Sequence, residues 1–318
     1  MKITVIGCGR WGSFIAWYLA GIGHEVTLYG RRSDPGFVSL EKTRRNEYLT
    51  LPESISLCDS LEQALRPELI VISIGSQGLR GLAREMAPFT PRNKTFVLCM
   101  KGLEQDSGCR LTEIMAEETD PSCRTAVWIG PGHVQAFTAG VPNCMVIDSA
   151  DPAVKESLVP LFSSSLIRFY YGTDLIGNEI GAASKNVIGI AAGMLDGLGL
   201  TALKGALMAR GTREIARLIR AMGGDERSAY GLCHLGDYEA TVFSPYSHNR
   251  CFGEAFVKGE SFESLAEGYY TVKALLLLGD RYDVELPISR AVEGIIYEKA
   301  DPRQTISSLF TRGLKMEF

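Results

Sequence analysis

The sequence lacks any apolar run long enough to cross a bilayer, which takes about 18 residues or more. The longest candidate, 187–200, is interrupted by Asp196 and by several glycines. No Cys-x-x-Cys pair and no Cys/His spacing typical of a zinc site occurs, although the chain has eight cysteines. These absences argue against a membrane span, a metal centre and a disulfide framework. They predict free thiols in a reducing, cytoplasmic compartment.

Charge of neither sign is in large excess. Lys plus Arg total 33 and Asp plus Glu total 37, a formal net charge of -4, which argues against nucleic acid or an anionic membrane as a partner. With 46% apolar and 22% charged residues the chain is typical of a globular protein, and its 318 residues leave room for two domains. The first strand-like run begins at Lys2, so no signal peptide is expected.

Short, continuously apolar runs alternate with helical stretches in the first half of the chain. This alternation predicts βαβ units and a mostly parallel sheet covered on both faces. The predicted strands are 3–6, 26–29, 69–74, 95–98, 126–129 and 144–147, with a last candidate at 166–170.

The composition changes after about Leu175. Alanine, glycine, leucine and charged residues with helical periodicity take over, and few strand-like runs remain. Helices are predicted at 213–222, 263–278 and 287–299. Because no Gly/Ser- or Pro-rich linker precedes them, we expect a shared long helix or a tight junction, followed by an all-helical substrate domain over residues 176–318.

The hexapeptide GCGRWG at residues 7–12 fits the pattern G-x-G-x-x-G. It follows the first predicted strand and opens an apolar helix, which is the context in which the pattern binds a dinucleotide. Gly7 permits the tight turn, Gly9 lets the backbone approach a pyrophosphate, and Gly12 lets helix and strand pack closely. Backbone N–H groups of the first helical turn, at Arg10 and Trp11, then face the phosphates. The alternative is an ordinary glycine-rich turn; we predict a Rossmann-like dinucleotide-binding domain over residues 1–175.

Two arginines, Arg31 and Arg32, follow the second predicted strand. An NAD-selective fold usually has an acidic residue near this position, where it binds the ribose 2′-hydroxyl. A guanidinium group suits a 2′-phosphate instead, so NADP(H) is favoured over NAD(H). A solvated basic turn is the alternative interpretation.

A polar stretch, 178–187, opens the second half of the chain. On a helix, Asn178, Ala182, Lys185 and Gly189 share one face. If that face is buried, Lys185 is a candidate general acid for carbonyl reduction. From periodicity alone, a solvated lysine on an alanine-rich helix is the simpler interpretation.

Several further segments, in a fixed order, carry a resemblance to a known family. They are GCGRWG at 7–12, KGLE at 101–104, GP at 130–131, GNEIGAASKNVIGIAAGMLDGLGL at 177–200, ALMARGTREI at 206–215, LGDYEAT at 235–241, SHNRCFGEAF at 247–256, EG at 267–268 and LPI at 286–288. Through them nearly the whole chain resembles the bacterial type of NAD(P)-dependent glycerol-3-phosphate dehydrogenase. The resemblance implies interconversion of dihydroxyacetone phosphate and sn-glycerol 3-phosphate by a homodimer.

The resemblance also implies roles for individual residues. Lys185 would be the general acid for the forming alkoxide and the base in reverse, Lys101 would polarise the substrate carbonyl near the cofactor, and Asp237 would orient Lys185. The implied substrate contacts are Asn186, Thr241, Ser247, His248, Asn249 and Arg250; the implied cofactor contacts are Gly130, Val134, His248 and Glu267. Taken singly, Lys101 is an ordinary loop cation, Asp237 a helix cap, and residues 247–249 a turn cluster.

Three departures from the family pattern fall in segments expected to meet substrate. His248 stands where the family has the arginine that clamps the substrate phosphate. Cys233 and His234 replace small residues before Leu-Gly-Asp, and Gly132 replaces Ser or Thr. Losing a charge-assisted hydrogen bond costs about 1.5–3 kcal/mol, or ten- to a hundred-fold in transition-state binding. His234 and His248 also have a plain interpretation as surface or structural histidines.

Three explanations of His248 stay open. Arg250 takes over the phosphate contact, a protonated His248 binds the phosphate, or the natural substrate is another hydroxy or keto compound. The leading hypothesis is an oxidoreductase that uses NADP(H) and a phosphate ester; a specialised reductase with another substrate and a non-enzymatic cofactor-binding regulator are the alternatives. The enzyme hypotheses expect Lys185 to lie against the nicotinamide of a cofactor that the N-terminal half holds through the glycine turn at Gly7–Gly12.

Overall fold

A computed structural model describes residues 1–311, 313 and 316. The chain folds as two compact units: unit one comprises residues 1–101 and 110–179, and unit two comprises residues 102–109 and 180–318. The predicted division at residue 175 stays a prediction.

Unit one contains one eight-stranded sheet in the order β3-β2-β1-β4-β5-β6-β7-β8. Neighbouring strands run parallel except β6 and β7, which are antiparallel. The strands are β1 (Lys2–Ile6), β2 (Glu25–Tyr29), β3 (Ser56–Cys58), β4 (Leu69–Ile72), β5 (Thr95–Leu98), β6 (Arg124–Ile129), β7 (Asn143–Ser149) and β8 (Ile167–Tyr171). The predicted α/β fold with a mostly parallel sheet is therefore confirmed.

Helices follow most strands of unit one. They are α1 (Arg10–Gly21), α2 (Pro35–Thr43), α3 (Leu61–Ala64), α4 (Leu79–Met86), α5 (Leu111–Glu118), α6 (Val134–Thr138) and α7 (Pro152–Phe162). Local chemistry fixes where they begin: the Asp34 and Asp151 side chains cap α2 and α7, each of which has proline in its first turn.

The core of unit one lies between the sheet and its helices. Every residue of β4 is buried, as continuous apolar strands between two helix layers require. On one face, Phe14 and Tyr18 of α1 pack near Trp128 of β6 and Phe162 of α7. The Tyr18 hydroxyl donates to the Phe162 carbonyl oxygen at 2.5 Å, so the buried phenol keeps a partner.

After β8 the described chain consists of helices and the turns that connect them, as predicted. The helices are α8 (Leu175–Gly197), α9 (Lys204–Ala221), α10 (His248–Lys258), α11 (Glu267–Arg281), α12 (Pro287–Tyr297) and α13 (Pro302–Phe310). Within the described residues, no helix combines the length and apolarity needed to cross a membrane. The α9 helix begins at Lys204, not at residue 213, because Gly205 and Gly211 hide the periodicity of its first half.

Glycines on α8 and α10 let these two helices, and the segment before α10, pack closely together. A Cβ atom on Gly193 would overlap the carbonyl oxygen of Arg250, and one on Gly253 would overlap that of Ile190. A Cβ on Gly189 would lie 2.7 Å from Thr241 Cγ2. Larger residues at these positions would push away the segments that carry residues 241–250.

Candidate active site

The glycine turn joins β1 to α1 at the point where the strand order reverses. Such a switch point, at the carboxyl ends of parallel strands, is where open α/β sheets bind ligands. Gly7 has φ of 110°, and a Cβ atom there would overlap the Ser73 carbonyl oxygen, while one on Gly12 would overlap that of Gly7. Above Gly9 nothing lies within 4 Å of such an atom. The turn is therefore closely packed at Gly7 and Gly12 and open at Gly9, where the prediction places the pyrophosphate.

Arg10 and Trp11, the first residues of α1, are half-buried. The Arg10 guanidinium lies 5.7 Å from the centre of the Tyr48 ring, and Trp11 packs on Phe14 and Phe137. These contacts fix the side chains beside the turn.

The two predicted 2′-phosphate ligands are already paired with carboxylates. Arg31 donates to both oxygens of Glu85 at 2.9 and 2.7 Å, and Arg32 pairs with Asp59. Both arginines are mostly exposed, so these ion pairs contribute little stability. A 2′-phosphate would therefore compete with weak pairs.

Asp34 is a residue near the turn that the sequence analysis missed. Its Oδ2 accepts a hydrogen bond from the Cys8 thiol at 3.2 Å, and its Oδ1 caps α2. Burial, together with Asp34, raises the pKa of Cys8 to about 12, so this thiol is not a thiolate nucleophile. The signal was an aspartate before Pro-Gly, which predicts a helix cap but not contact with the turn.

Lys101 and Gly130 follow the neighbouring strands β5 and β6. Lys101 Nζ donates to the Gly130 carbonyl oxygen at 2.5 Å, so the two predicted residues lie together at the carboxyl edge of the sheet. Val134 begins α6 and is buried. Gly132 has φ of 147°, and a Cβ atom there would overlap the Phe137 ring, which explains why this chain has glycine at that position.

In unit two, Lys185 lies beside Asp237, its predicted partner, and beside Thr241, which was predicted to contact substrate. Its Nζ donates to Thr241 Oγ1 at 2.8 Å and lies 3.2 Å from Asp237 Oδ2. Lys185 is 7% exposed and Asp237 is 1% exposed, so the lysine is not a solvated surface residue. Thr241 also donates to the Asp237 carbonyl oxygen at 2.8 Å, which ties the three residues into one buried cluster.

Asn186 and Asn249, which were each predicted to contact substrate, are hydrogen-bonded to one another in the structure. Asn249 Nδ2 donates to Asn186 Oδ1 at 3.1 Å, and Asn249 Oδ1 accepts from the Gly268 backbone N–H at 2.8 Å. Gly268 follows Glu267, which begins α11. The predicted cofactor residue Glu267 is therefore placed next to the predicted substrate residue Asn249.

The start of α10 carries three more of the predicted residues. Ser247 caps the helix by accepting from the Arg250 backbone N–H at 3.3 Å. His248 Nδ1 donates to the Leu265 carbonyl oxygen at 3.1 Å. The Arg250 guanidinium binds Asp196 at 2.7 Å and Glu254 at 2.9 Å. Arg250 would have to give up these partners before it replaced the missing phosphate clamp.

An ion cluster that the sequence analysis missed supports this segment. Asp196 also binds Lys204 at 2.6 Å, and Lys204 donates to the Val242 carbonyl oxygen at 2.9 Å. Lys204 is 5% exposed. The cluster fixes the chain between Thr241 and α10; its members lie 8 and 54 positions from Asp196 along the chain, so no local pattern predicted it.

A glycine turn at the switch point of a parallel sheet places the protein in the class of Rossmann-type dinucleotide-binding proteins. Comparison with known families makes the assignment specific. The N-terminal model of NAD-dependent glycerol-3-phosphate dehydrogenase matches residues 2–155, and the C-terminal model matches residues 174–307. The chain belongs to this family. Its predicted family, and its class as an oxidoreductase acting on a CH–OH group, are confirmed.

Full-length relatives agree with that assignment. The chain is 35% identical over 332 residues to glycerol-3-phosphate dehydrogenase [NAD(P)+] of Corynebacterium glutamicum, with 100% of both chains covered. It is 36% identical over 327 residues to the Rhodopseudomonas palustris enzyme of the same name, covering 99% of this chain and 98% of that one. The crystal structure of glycerol-3-phosphate dehydrogenase from Coxiella burnetii has a TM-score of 0.90 and 28% identity, and covers 98% and 99% of the two chains.

Proposed function

We propose that the protein transfers a hydride between NADP(H) and the pair dihydroxyacetone phosphate and sn-glycerol 3-phosphate. The observation that carries the proposal is the buried ammonium group of Lys185, held by Asp237 and Thr241. When bound, NADPH would supply the hydride for the carbonyl carbon and become NADP+. In reduction, Lys185 gives a proton to the carbonyl oxygen, which yields the alcohol; in oxidation, Lys185 takes the hydroxyl proton as NADP+ would accept the hydride.

The other residues have binding and orienting roles in this proposal. Residues 1–175 bind the dinucleotide, with the glycine turn at the pyrophosphate, Gly130 and Val134 bordering the nicotinamide, and Glu267 contributing from the second half. Lys101 polarises the carbonyl. Asp237 directs the Lys185 ammonium, and Asn186, Thr241, Ser247 and Asn249 bind the hydroxyl and phosphate oxygens as part of a substrate domain over residues 176–318.

We propose that His248, and not Arg250, takes the place of the family's arginine at the substrate phosphate. Arg250 is held by two carboxylates, whereas His248 occupies the first position of α10, where backbone N–H groups favour an anion. An imidazole offers at most two donors and lacks the permanent charge of arginine, so we expect weaker phosphate binding than in relatives with the clamp.

A second candidate function follows from the same departure. His248 weakens the expected phosphate contact, and Gly132 lacks the hydroxyl that the family has in a segment expected to meet substrate. Both departures favour a specialised reductase with another keto or polyol substrate. Turnover of an unphosphorylated ketone faster than of dihydroxyacetone phosphate would support it over the leading proposal.

NADP(H) preference is proposed from Arg31 and Arg32. Each guanidinium lies in a mostly exposed ion pair that a 2′-phosphate can displace at little cost.

Cytoplasmic location and a homodimer complete the proposal. The eight free thiols are compatible with a reducing compartment, and light scattering at twice the monomer mass would support the dimer.

Loss of absorbance at the NADPH band on mixing protein, NADPH and dihydroxyacetone phosphate tests the function. We expect one NADP+ and one sn-glycerol 3-phosphate per NADPH consumed. Absence of turnover with NADPH and with NADH would remove the proposed substrate, and a panel of phosphorylated and unphosphorylated ketones would then separate another reductase from a protein that only binds the cofactor.

A further inference from the structure

His234 lies fully buried in unit two, close to the Lys185–Asp237 pair. Its Nδ1 is 2.9 Å from the carbonyl oxygen of Gly181, and its Nε2 is 2.7 Å from the hydroxyl of Tyr238. Because a carbonyl oxygen can only accept, Nδ1 carries a proton and donates it to Gly181. Burial favours the neutral ring, in which Nε2 accepts from the Tyr238 hydroxyl, so one tautomer is defined.

Each of these two hydrogen bonds reaches a residue close in sequence to Lys185 or to Asp237. Gly181 lies one helical turn before Lys185 on α8, and Tyr238 directly follows Asp237. We propose that His234 is a positioning residue, which holds the Lys185 ammonium and the Asp237 carboxylate in register by bridging Gly181 and Tyr238. The inference rests on the proposed function, because it takes Lys185 to be the proton donor.

Close packing supports a positioning role for the ring. A Cβ atom on Gly181 would lie only 3.1 Å from His234 Cβ, so glycine at that position makes the approach possible. The Tyr238 ring meets the imidazole edge-on at 4.9 Å, and Thr212 Oγ1 lies 3.4 Å from the Tyr238 hydroxyl and donates to it. A single chain of donors thus runs from Thr212 through Tyr238 and His234 to the Gly181 carbonyl.

Burial of the ring outweighs the groups around it that favour the charged form, Asp237 and the Gly181 carbonyl, and keeps the imidazole neutral. Ser184 and Lys185 face it from α8, Asp237 and Tyr238 from its own segment, and Thr212 and Glu214 stand behind Tyr238 on α9. Burial lowers the pKa of His234 to about 4 and raises the pKa of Tyr238. The ring therefore adds no second cation beside Lys185, and the phenol keeps the proton that it donates.

Three variants separate the effects of the two hydrogen bonds that His234 makes. His234→Asn keeps a donor at the place of Nδ1 and loses the acceptor at Nε2; His234→Leu removes both; Tyr238→Phe removes only the donor to Nε2. We expect His234→Leu to lower kcat by about ten- to a hundred-fold, the effect of a small misplacement of a reacting group, with KM values within about two-fold of wild type. His234→Asn should recover most of that loss, and Tyr238→Phe should lie between them.

Hydrogen–deuterium exchange and imidazole NMR give readouts independent of turnover. Amide exchange around Lys185 on α8 should rise in His234→Leu and stay near wild type in His234→Asn. The His234 ring should show a protonated Nδ1 and no titration between pH 8 and 5.5. All kinetic comparisons use temperatures well below each variant's midpoint of thermal unfolding. A fall in kcat then cannot come from unfolded protein.

Equal kcat in wild type, His234→Leu and His234→Asn would overturn the inference, as would equal losses in the two variants without rescue. A ring that titrates above pH 5.5 would also overturn it. If wild type reduces no ketone, the proposed function fails separately; the exchange comparison of the leucine and asparagine variants then decides whether His234 positions Lys185.

Discussion

Lys185 Nζ lies 3.2 Å from Asp237 Oδ2, and both side chains are more than nine-tenths buried. An ion pair this deep in a protein is a poor way to gain stability, because desolvation offsets most of the attraction. Its burial is better explained by a need to hold an ammonium group at one place. The first two predictions test that explanation.

Replacing Lys185 by alanine should reduce kcat at least a hundred-fold, the low end of general acid–base contributions. NADPH binding, followed by fluorescence titration, should change less than three-fold, because the glycine turn is untouched. Lys258→Ala is the matched control, since Lys258 is also ion-paired but lies on the surface of α10. Retention of more than a tenth of wild-type kcat in Lys185→Ala would contradict the proposed role.

Replacing Asp237 by asparagine keeps its size and removes its charge. We expect kcat to fall about ten- to a hundred-fold, because a charge-assisted contact of about 1.5–3 kcal/mol is lost. Thermal unfolding should also move to lower temperature, since Lys185 remains buried with a weaker partner. Asp280→Asn, which alters an exposed ion pair with Arg290, should change neither quantity. A fully active Asp237→Asn enzyme would argue that the carboxylate only supports the fold.

The cofactor preference is testable with pairs of opposite substitutions. Arg31→Ala and Arg32→Ala should each raise KM for NADPH about ten-fold and leave KM for NADH nearly unchanged, because only NADPH carries the 2′-phosphate. Glu85→Gln and Asp59→Asn release the same guanidinium groups from their carboxylates, and should lower KM for NADPH or leave it unchanged. Parallel changes for both cofactors would assign the arginines a structural role.

Much of the fold followed from sequence because its signals are local. The apolar strands and the glycine turn are contiguous, and β5 lies at the predicted residues. The β3 strand was missed because Ser56–Cys58 is a three-residue edge strand without an apolar run. The β4 strand ends at Ile72, two residues earlier than predicted, since Ser73 already leads into the turn beside Gly7.

The contacts within the candidate site were harder to predict from short stretches of sequence. Helical periodicity placed Lys185 on a face but did not reveal whether that face is buried. The family resemblance supplied its partner Asp237, and the hydrogen bond to Thr241 came only with the structure. Pairings between distant residues were missed altogether, such as Arg31 with Glu85 and Arg250 with Asp196. Such pairings depend on where tertiary packing brings two side chains, which no short stretch of sequence encodes.

Buried His234 gives the fold a predictable dependence on pH. Its pKa is about 4 in the folded protein and about 6.5 when unfolded, so the unfolded chain binds the proton more tightly. The neutral ring's contribution to the free energy of unfolding is fully present above pH 6.5. It decreases as pH falls below 6.5 and is lost once pH has fallen through 4, a total change of about 3 kcal/mol. Urea unfolding at pH 7, 5.5 and 4.5 should show this loss in wild type and a shallower one in His234→Asn. Identical pH slopes in the two proteins would contradict it.

Restoring the family's clamp tests how the phosphate is bound. His248→Arg should raise kcat/KM for dihydroxyacetone phosphate by about ten- to a hundred-fold, because a permanent charge with a forked donor replaces an imidazole. Unphosphorylated dihydroxyacetone is the control substrate, and its kcat/KM should change little. Arg250 keeps its carboxylate partners in this variant, so a gain would come from residue 248 itself. An unchanged or lower kcat/KM for the phosphate ester would instead favour a natural substrate that the present pocket already fits.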